Sequence, residues 1–207
     1  MNRKQIKKIA KNKAKNNLWN IWKPGLIIIL ITYIIICGFY LMYDYNILSS
    51  IITSLVSILF LPLSIGYVTY LIKLINEDNN DINLIWKPYN NFFNILLGFI
   101  IIPIMITIGL ALAVIPGVII SLGISQVPYI LAENKISIWK AIKLSFRMTK
   151  GYKWQIFKFY LSFIGWQFLG ALTLGILYIW LYPYMMTSRI VLYEKLKSNL
   201  LNKPPKY

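Results

Sequence analysis

Apolar residues in this chain come in long uncharged blocks separated by short basic segments, and the blocks set the predicted elements. The longest, from Phe92 to Ala132, is interrupted only at Pro116-Gly117. About 20 helical residues cover the roughly 30 Å hydrocarbon layer of a bilayer, so this block is long enough to cross twice. Small residues recur at every fourth position through it, at Gly109, Ala113, Gly117, Ser121 and Ser125. Such a ridge lets two helices approach closely in lipid. The expected element is a packed transmembrane hairpin with crossings at 92–115 and 117–133 and its corner at Pro116-Gly117. The second arm covers only about 24 Å at 1.5 Å per residue, slightly less than a full crossing.

Two further pairs flank it. Residues 24–43 and 47–75 form one, joined at Asp44-Tyr45-Asn46, with a helix start near Pro24 and a kink expected at Pro62 and Gly66. Residues 156–174 and 176–194 form the other and bend near Thr173-Leu174-Gly175. Pro62, Pro128 and Pro183 fall in the second helix of each pair, a hint of a repeated hairpin unit. The expected fold is all-α: six transmembrane helices as three hairpins, with amphipathic helices at the interface. Residues 24–194 make the membrane domain, residues 1–23 a basic N-terminal segment and residues 195–207 a basic tail. The apolar run after the N-terminal segment is longer than a signal-peptide core and lacks a small-residue cleavage site, so it reads as a retained helix.

Two amphipathic segments stand out. In the first, Ile6, Ala10, Ala14, Leu18 and Trp22 repeat at helical spacing, with Ile9 beside them and lysines around them. This fits a helix on an anionic membrane surface or a solvated tail that only sets orientation. The second is a helix from Ser137 to Lys150, with Ser137 as N-cap and Gly151 at its stop. Trp139, Ile142 and Phe146 share one face, and Lys140, Lys143, Arg147 and Lys150 share the next. That pattern suits seating at lipid headgroups, docking of an acidic partner protein, or a topogenic loop helix with no ligand.

The hydrophobic fraction of 58% and mean hydropathy of +0.62 exceed those of soluble domains. The formal charge of +16 raises nucleic-acid binding, but the positions of the charges argue against it. All 22 basic residues lie in the two terminal segments, the segments around 73–87 and 135–158, or at Arg189, and none lies in the three expected outer turns. The positive-inside rule then expects both termini and both long loops in the cytoplasm of a bacterial plasma membrane. Partners implied are the bilayer with its anionic inner leaflet, and a protein partner or a second copy. No nucleic acid is expected.

Candidate chemistry is sparse. There is no histidine, and Cys37 is the single cysteine. The only carboxylates in the expected crossings are at their inner ends, Glu133 and Glu194, and no phosphate-cradling loop, dinucleotide fingerprint or metal-ligand cluster occurs, so no cofactor is expected. Gln126 and Gln167 fall within the hydrocarbon, either as interhelical hydrogen-bond pairs or as the lining of a polar path. Arg189, Glu133 and Glu194 sit at inner helix ends as interface anchors, the acids near enough to cations to pair.

Several strings in order carry a resemblance: Ile115-Pro116-Gly117, then Pro128 to Asn134, Ala141-Ile142, Ser145, Lys150-Gly151, Leu161 to Trp166, Leu172 to Gly175 and Pro183-Tyr184. Together they resemble an uncharacterised family of bacterial integral membrane proteins, a domain of unknown function found mainly in Gram-positive organisms. That family is distantly similar to the membrane domain of some glycerophosphodiester phosphodiesterases. The resemblance implies a multi-pass membrane protein and brings no catalytic residues. The function expected is a non-enzymatic, membrane-embedded interaction or envelope-associated role. A small transporter or permease subunit is the alternative, and a lipid-modifying enzyme a third option.

Overall fold

The computed structural model describes residues 3–42 and 47–202, without the side chains of residues 39–42, 48 and 49. The expected turn at Asp44-Tyr45-Asn46, and Lys203 and Lys206 of the tail, lie outside the described residues. Every described element is helical: α1 (Arg3–Asn16), α2 (Leu18–Met42), α3 (Ile47–Glu77), α4 (Phe92–Leu112), α5 (Val114–Ile124), α6 (Val127–Glu133), α7 (Ile138–Thr149), α8 (Lys153–Leu172) and α9 (Tyr178–Leu201). Two 3₁₀ turns, Ile82–Ile85 and Lys87–Asn91, lead into α4.

Four stretches are long and apolar enough to cross a membrane: Leu18–Gly38, Ser50–Glu77, Ile82–Leu112 and Val114–Glu133. The fifth and sixth expected crossings form as helices, α8 and α9, but do not reach that apolarity among the described residues. Their sequences explain the shortfall. Helix α8 carries Lys153, Gln155, Lys158, Ser162 and Gln167, and α9 carries Thr187, Ser188, Arg189, Glu194 and Lys195.

The corner of the central segment falls at Ala113, not at Pro116-Gly117. Ala113 is extended (φ −174°, ψ 159°) and α5 begins immediately after it. Proline lacks the N–H that a first helical turn leaves unused, so Pro116 opens α5 where it had been expected to break the chain. Gly109 and Gly117 come close together across this corner. A Cβ on Gly109 would stand 3.0 Å from the Gly117 Cα, and one on Gly117 would stand 2.5 Å from the Leu110 side chain. Ser121 and Ser125 instead bond back to carbonyls of their own helix, at Val118 and Leu122.

Two of the prolines within helices, Pro24 and Pro183, are answered from neighbouring elements. Helix α2 starts at Leu18, so Pro24 lies inside it and is not its first residue. A helical proline cannot bond to the carbonyl four residues back. For Pro24 that carbonyl is Asn20, and the Tyr70 hydroxyl of α3 donates to it at 2.9 Å. For Pro183 it is Ile179, and the Trp22 indole N–H donates to it at 2.8 Å. Beside Pro62, the Tyr89 hydroxyl donates to the Leu59 carbonyl at 2.8 Å. Gly66, one turn further on, lets the Ile85 backbone approach so closely that any Cβ would overlap its carbonyl oxygen.

The core lies toward the basic end of the molecule. Buried residues run from Leu63 to Ile75 in α3, from Val127 to Ala132 in α6, along one face of α7 and from Leu181 to Leu196 in α9. Ile29, Ile34, Ile104 and Ile108, on α2 and α4, are by contrast more than half exposed. Contiguous apolar surface of this kind belongs against lipid. Hydrogen bonds gather the charged segments together: Lys13 donates to the Ile75 carbonyl, Asn76 to the Glu194 carboxylate, and Lys197 pairs with Glu133 at 2.6 Å.

Helix α1 faces neither lipid nor solvent with its apolar stripe. Ile6, Ala10 and Ala14 are buried, and α1 packs along α9. The alanines, small in area, are what let the two helices close up. Lys7 donates to the Ser162 carbonyl at 3.3 Å with its ammonium 4.0 Å from the Phe163 ring centre. Burial, and secondarily Arg3, hold its pKa below the usual lysine value.

Candidate functional site

The outgoing arm of the central segment is broken at Ser125-Gln126, between α5 and α6, with Pro128 in the first turn of α6. A break frees backbone groups, and α7 satisfies them. Ser145 donates to the Gly123 carbonyl at 2.6 Å and accepts from the Gln126 N–H at 3.3 Å. Next to it the Phe146 ring occupies the space that a side chain at Gly123 would need. So α7 is wedged into the core by its face at Ile138, Ala141, Ile142, Ser145, Met148 and Thr149.

The start of α7 is held from α4. Ser137 is the N-cap residue by position, but its side chain makes no capping bond. Asn94 supplies the cap from a distance: its Oδ1 accepts from the Ile138 N–H at 2.7 Å, and its Nδ2 donates to the Ile136 carbonyl at 2.6 Å. The stop falls at Gly151 as predicted, with φ at +84°. Lys140, Lys143, Arg147 and Lys150 are all exposed on the outer side of this anchored helix, and so is Trp139. The aromatic edge predicted for α7 is divided, since Trp139 points outward while Ile142 and Phe146 pack inward.

Gln126 is fully buried. Its Nε2 donates to the Ser125 hydroxyl at 2.8 Å, while its Oε1 has no partner. Gln167 keeps different company, its Nε2 lying 3.9 Å from the Met185 sulfur. The structure does not bring the two amides together. Two surface notches also lie away from them: one of about 400 Å³ between α1 and α9, and an apolar one of about 230 Å³ among α3, α4 and α6.

What surrounds Gln126 is a polar cluster that sequence reading did not assemble. The Tyr160 hydroxyl lies within reach of the Ser125 and Gln126 side chains. The Tyr160 ring stands 5.8 Å from the Arg189 guanidinium carbon, and the Tyr129 hydroxyl is within reach of that guanidinium. Tyr129 stacks on Tyr193, whose hydroxyl donates to Glu133 at 2.7 Å. Glu133 is committed to Tyr193 and Lys197, Glu194 accepts from Asn76, and Glu77 pairs with Lys73. Among the described residues no carboxylate pairs with Arg189. The two residues preceding it, Thr187 and Ser188, are fully buried with hydroxyl oxygens that have no partner. Arg189 therefore sits inward among phenols, unlike the snorkelling anchor expected from its position. No pattern along one helix marks this setting, because the phenols come from α6 and α8.

Apolar helices of crossing length, joined to a packed basic end, define a membrane protein. Within that class, a family model for proteins of unknown function, DUF975, matches residues 89–200, more than half of the chain, which belongs to that family. The matched region contains α4 to α9 up to Leu200, and so both the Ser125-Gln126 break and Arg189. No curated protein and no solved structure matches the chain.

Proposed function

We propose that this chain is a non-enzymatic bacterial plasma-membrane protein that acts through contacts of its basic end with anionic lipid and a protein partner. The observation that carries the reading is α7. Four exposed cations lie along a helix whose opposite face is fastened by Asn94, Ser145 and Phe146. A fixed cationic strip meets an anionic surface without losing the ordering entropy of a mobile tail, and each Lys or Arg near such a surface contributes about 1 kcal/mol. In this reading α8 and α9 complete six crossings as a third hairpin, and both termini face the cytoplasm, where the basic segments belong.

The transporter reading requires a polar path through Gln126 and Gln167, and their separate partners speak for packing in its place. Two measurements test the proposal. In mixed phosphatidylcholine and phosphatidylglycerol vesicles, energy transfer from protein to labelled phosphatidylglycerol reports its enrichment. Replacing Lys140, Lys143, Arg147 and Lys150 by Gln should abolish most of that enrichment, and unchanged transfer refutes the lipid contact. A labelling reporter at residue 45 should react from outside and one at residue 85 only from inside. Reversed labelling overturns the topology.

A further inference from the structure

We infer that Arg189, with the phenols of Tyr129 and Tyr160 and the Gln126 side chain beside them, is a binding site for a phosphate-bearing anion, either a phospholipid headgroup or a free phosphate. The inference goes beyond the α7 strip, since none of these residues belongs to it.

Two observations converge on this cluster. The first is charge. A cation withdrawn from water is costly unless an opposite charge meets it, and every nearby acid on α6 and α9 is engaged elsewhere. The Tyr160 ring face offers partial compensation, and a phenol oxygen accepts only part of what five guanidinium N–H groups can donate. The second is the Gln126 side chain, fully buried, with its amide oxygen unpartnered and the Tyr160 hydroxyl within reach of the side chain.

Phosphate fits this donor set better than other common anions. The guanidinium fork matches two phosphate oxygens, and the remaining oxygens can take the phenol and amide hydrogens. A carboxylate offers only two oxygens and would leave part of the set unused. Helix α9 supplies Arg189, α8 supplies Tyr160 and α6 supplies Tyr129, so a bound phosphate would tie together three helices that meet at the Ser125-Gln126 break.

The test uses the full chain, purified in neutral detergent and stripped of lipid. One arm titrates inorganic phosphate by calorimetry, and a second counts retained phosphatidylglycerol by native mass spectrometry. Binding in the first arm alone assigns a free phosphate, and binding in the second alone assigns a headgroup. In either case Arg189→Gln should weaken binding at least tenfold, and Arg189→Lys, which keeps charge but loses the fork, should fall between. The double change Lys140→Gln with Lys143→Gln should leave this binding intact, so the α7 proposal and this one fail separately. If Arg189→Gln does not fold, Tyr160→Phe keeps the ring and removes only the hydroxyl, and it should weaken binding several-fold. No binding to the unaltered protein in both arms overturns the site. So does binding that none of these changes at positions 160 and 189 affects.

Discussion

The pairing of Tyr70 with the carbonyl orphaned by Pro24 yields a quantitative test. Tyr70 is 2% exposed and its hydroxyl donates to Asn20 at 2.9 Å. Tyr70→Phe removes that donor and nothing else, leaving a carbonyl whose helical N–H partner Pro24 does not supply. An unsatisfied backbone group costs about 1–3 kcal/mol when fully buried, and the part-buried Asn20 carbonyl belongs at the low end of that range. In a Pro24→Ala background, residue 24 regains its N–H and can bond to Asn20 along the helix. The same Tyr70→Phe change should then cost about 1 kcal/mol or less, the net value of an ordinary hydrogen bond. The double-mutant cycle should accordingly show a coupling of about 0.5–1 kcal/mol, with the tyrosine mattering more when proline is present. Reversible unfolding of the four proteins in mixed micelles, followed by tryptophan fluorescence, measures each corner. Equal cost of Tyr70→Phe in both backgrounds would sink the idea that tertiary donors make the helical prolines tolerable.

Other consequences are open to simpler tests. Asn94→Ala should destabilise by about 2 kcal/mol, since it orphans the Ile138 N–H and the Ile136 carbonyl, while Ser137→Ala should stay within about 0.5 kcal/mol. Hydrogen exchange of the first α7 amides reads the difference directly, and the reverse order contradicts the assigned cap. Gly66→Ala should be strongly destabilising, by about 3 kcal/mol or more, because its Cβ would overlap the Ile85 carbonyl. Gly165→Ala, with nothing within 4 Å of the added carbon, should be neutral or mildly stabilising through helix propensity. Thermal melts in detergent separate the two, and similar melting points would refute the close approach of α3 and the 3₁₀ turn.

The helices, the membrane class and the local stops are legible in the sequence because their causes lie within a few residues. Block apolarity marks the crossing-length helices, Gly151 takes the left-handed conformation that ends α7, and Gly175, at φ +88°, turns the chain between α8 and α9. Only the tertiary structure decided which partner each face meets. Periodicity marked the stripe at Ile6, Ala10 and Ala14 as apolar, but lipid and α9 are equally good apolar partners on that criterion. Ser137 has the local features of a cap, yet Asn94 holds α7, because a cap needs only an oxygen in the right place and the chain can bring one from 44 residues away. The Ser125-Gln126 break and the setting of Arg189 were hidden for the same reason. The groups that satisfy the break come from α7, and the phenols around the guanidinium come from α6 and α8, so no window along one helix contains them.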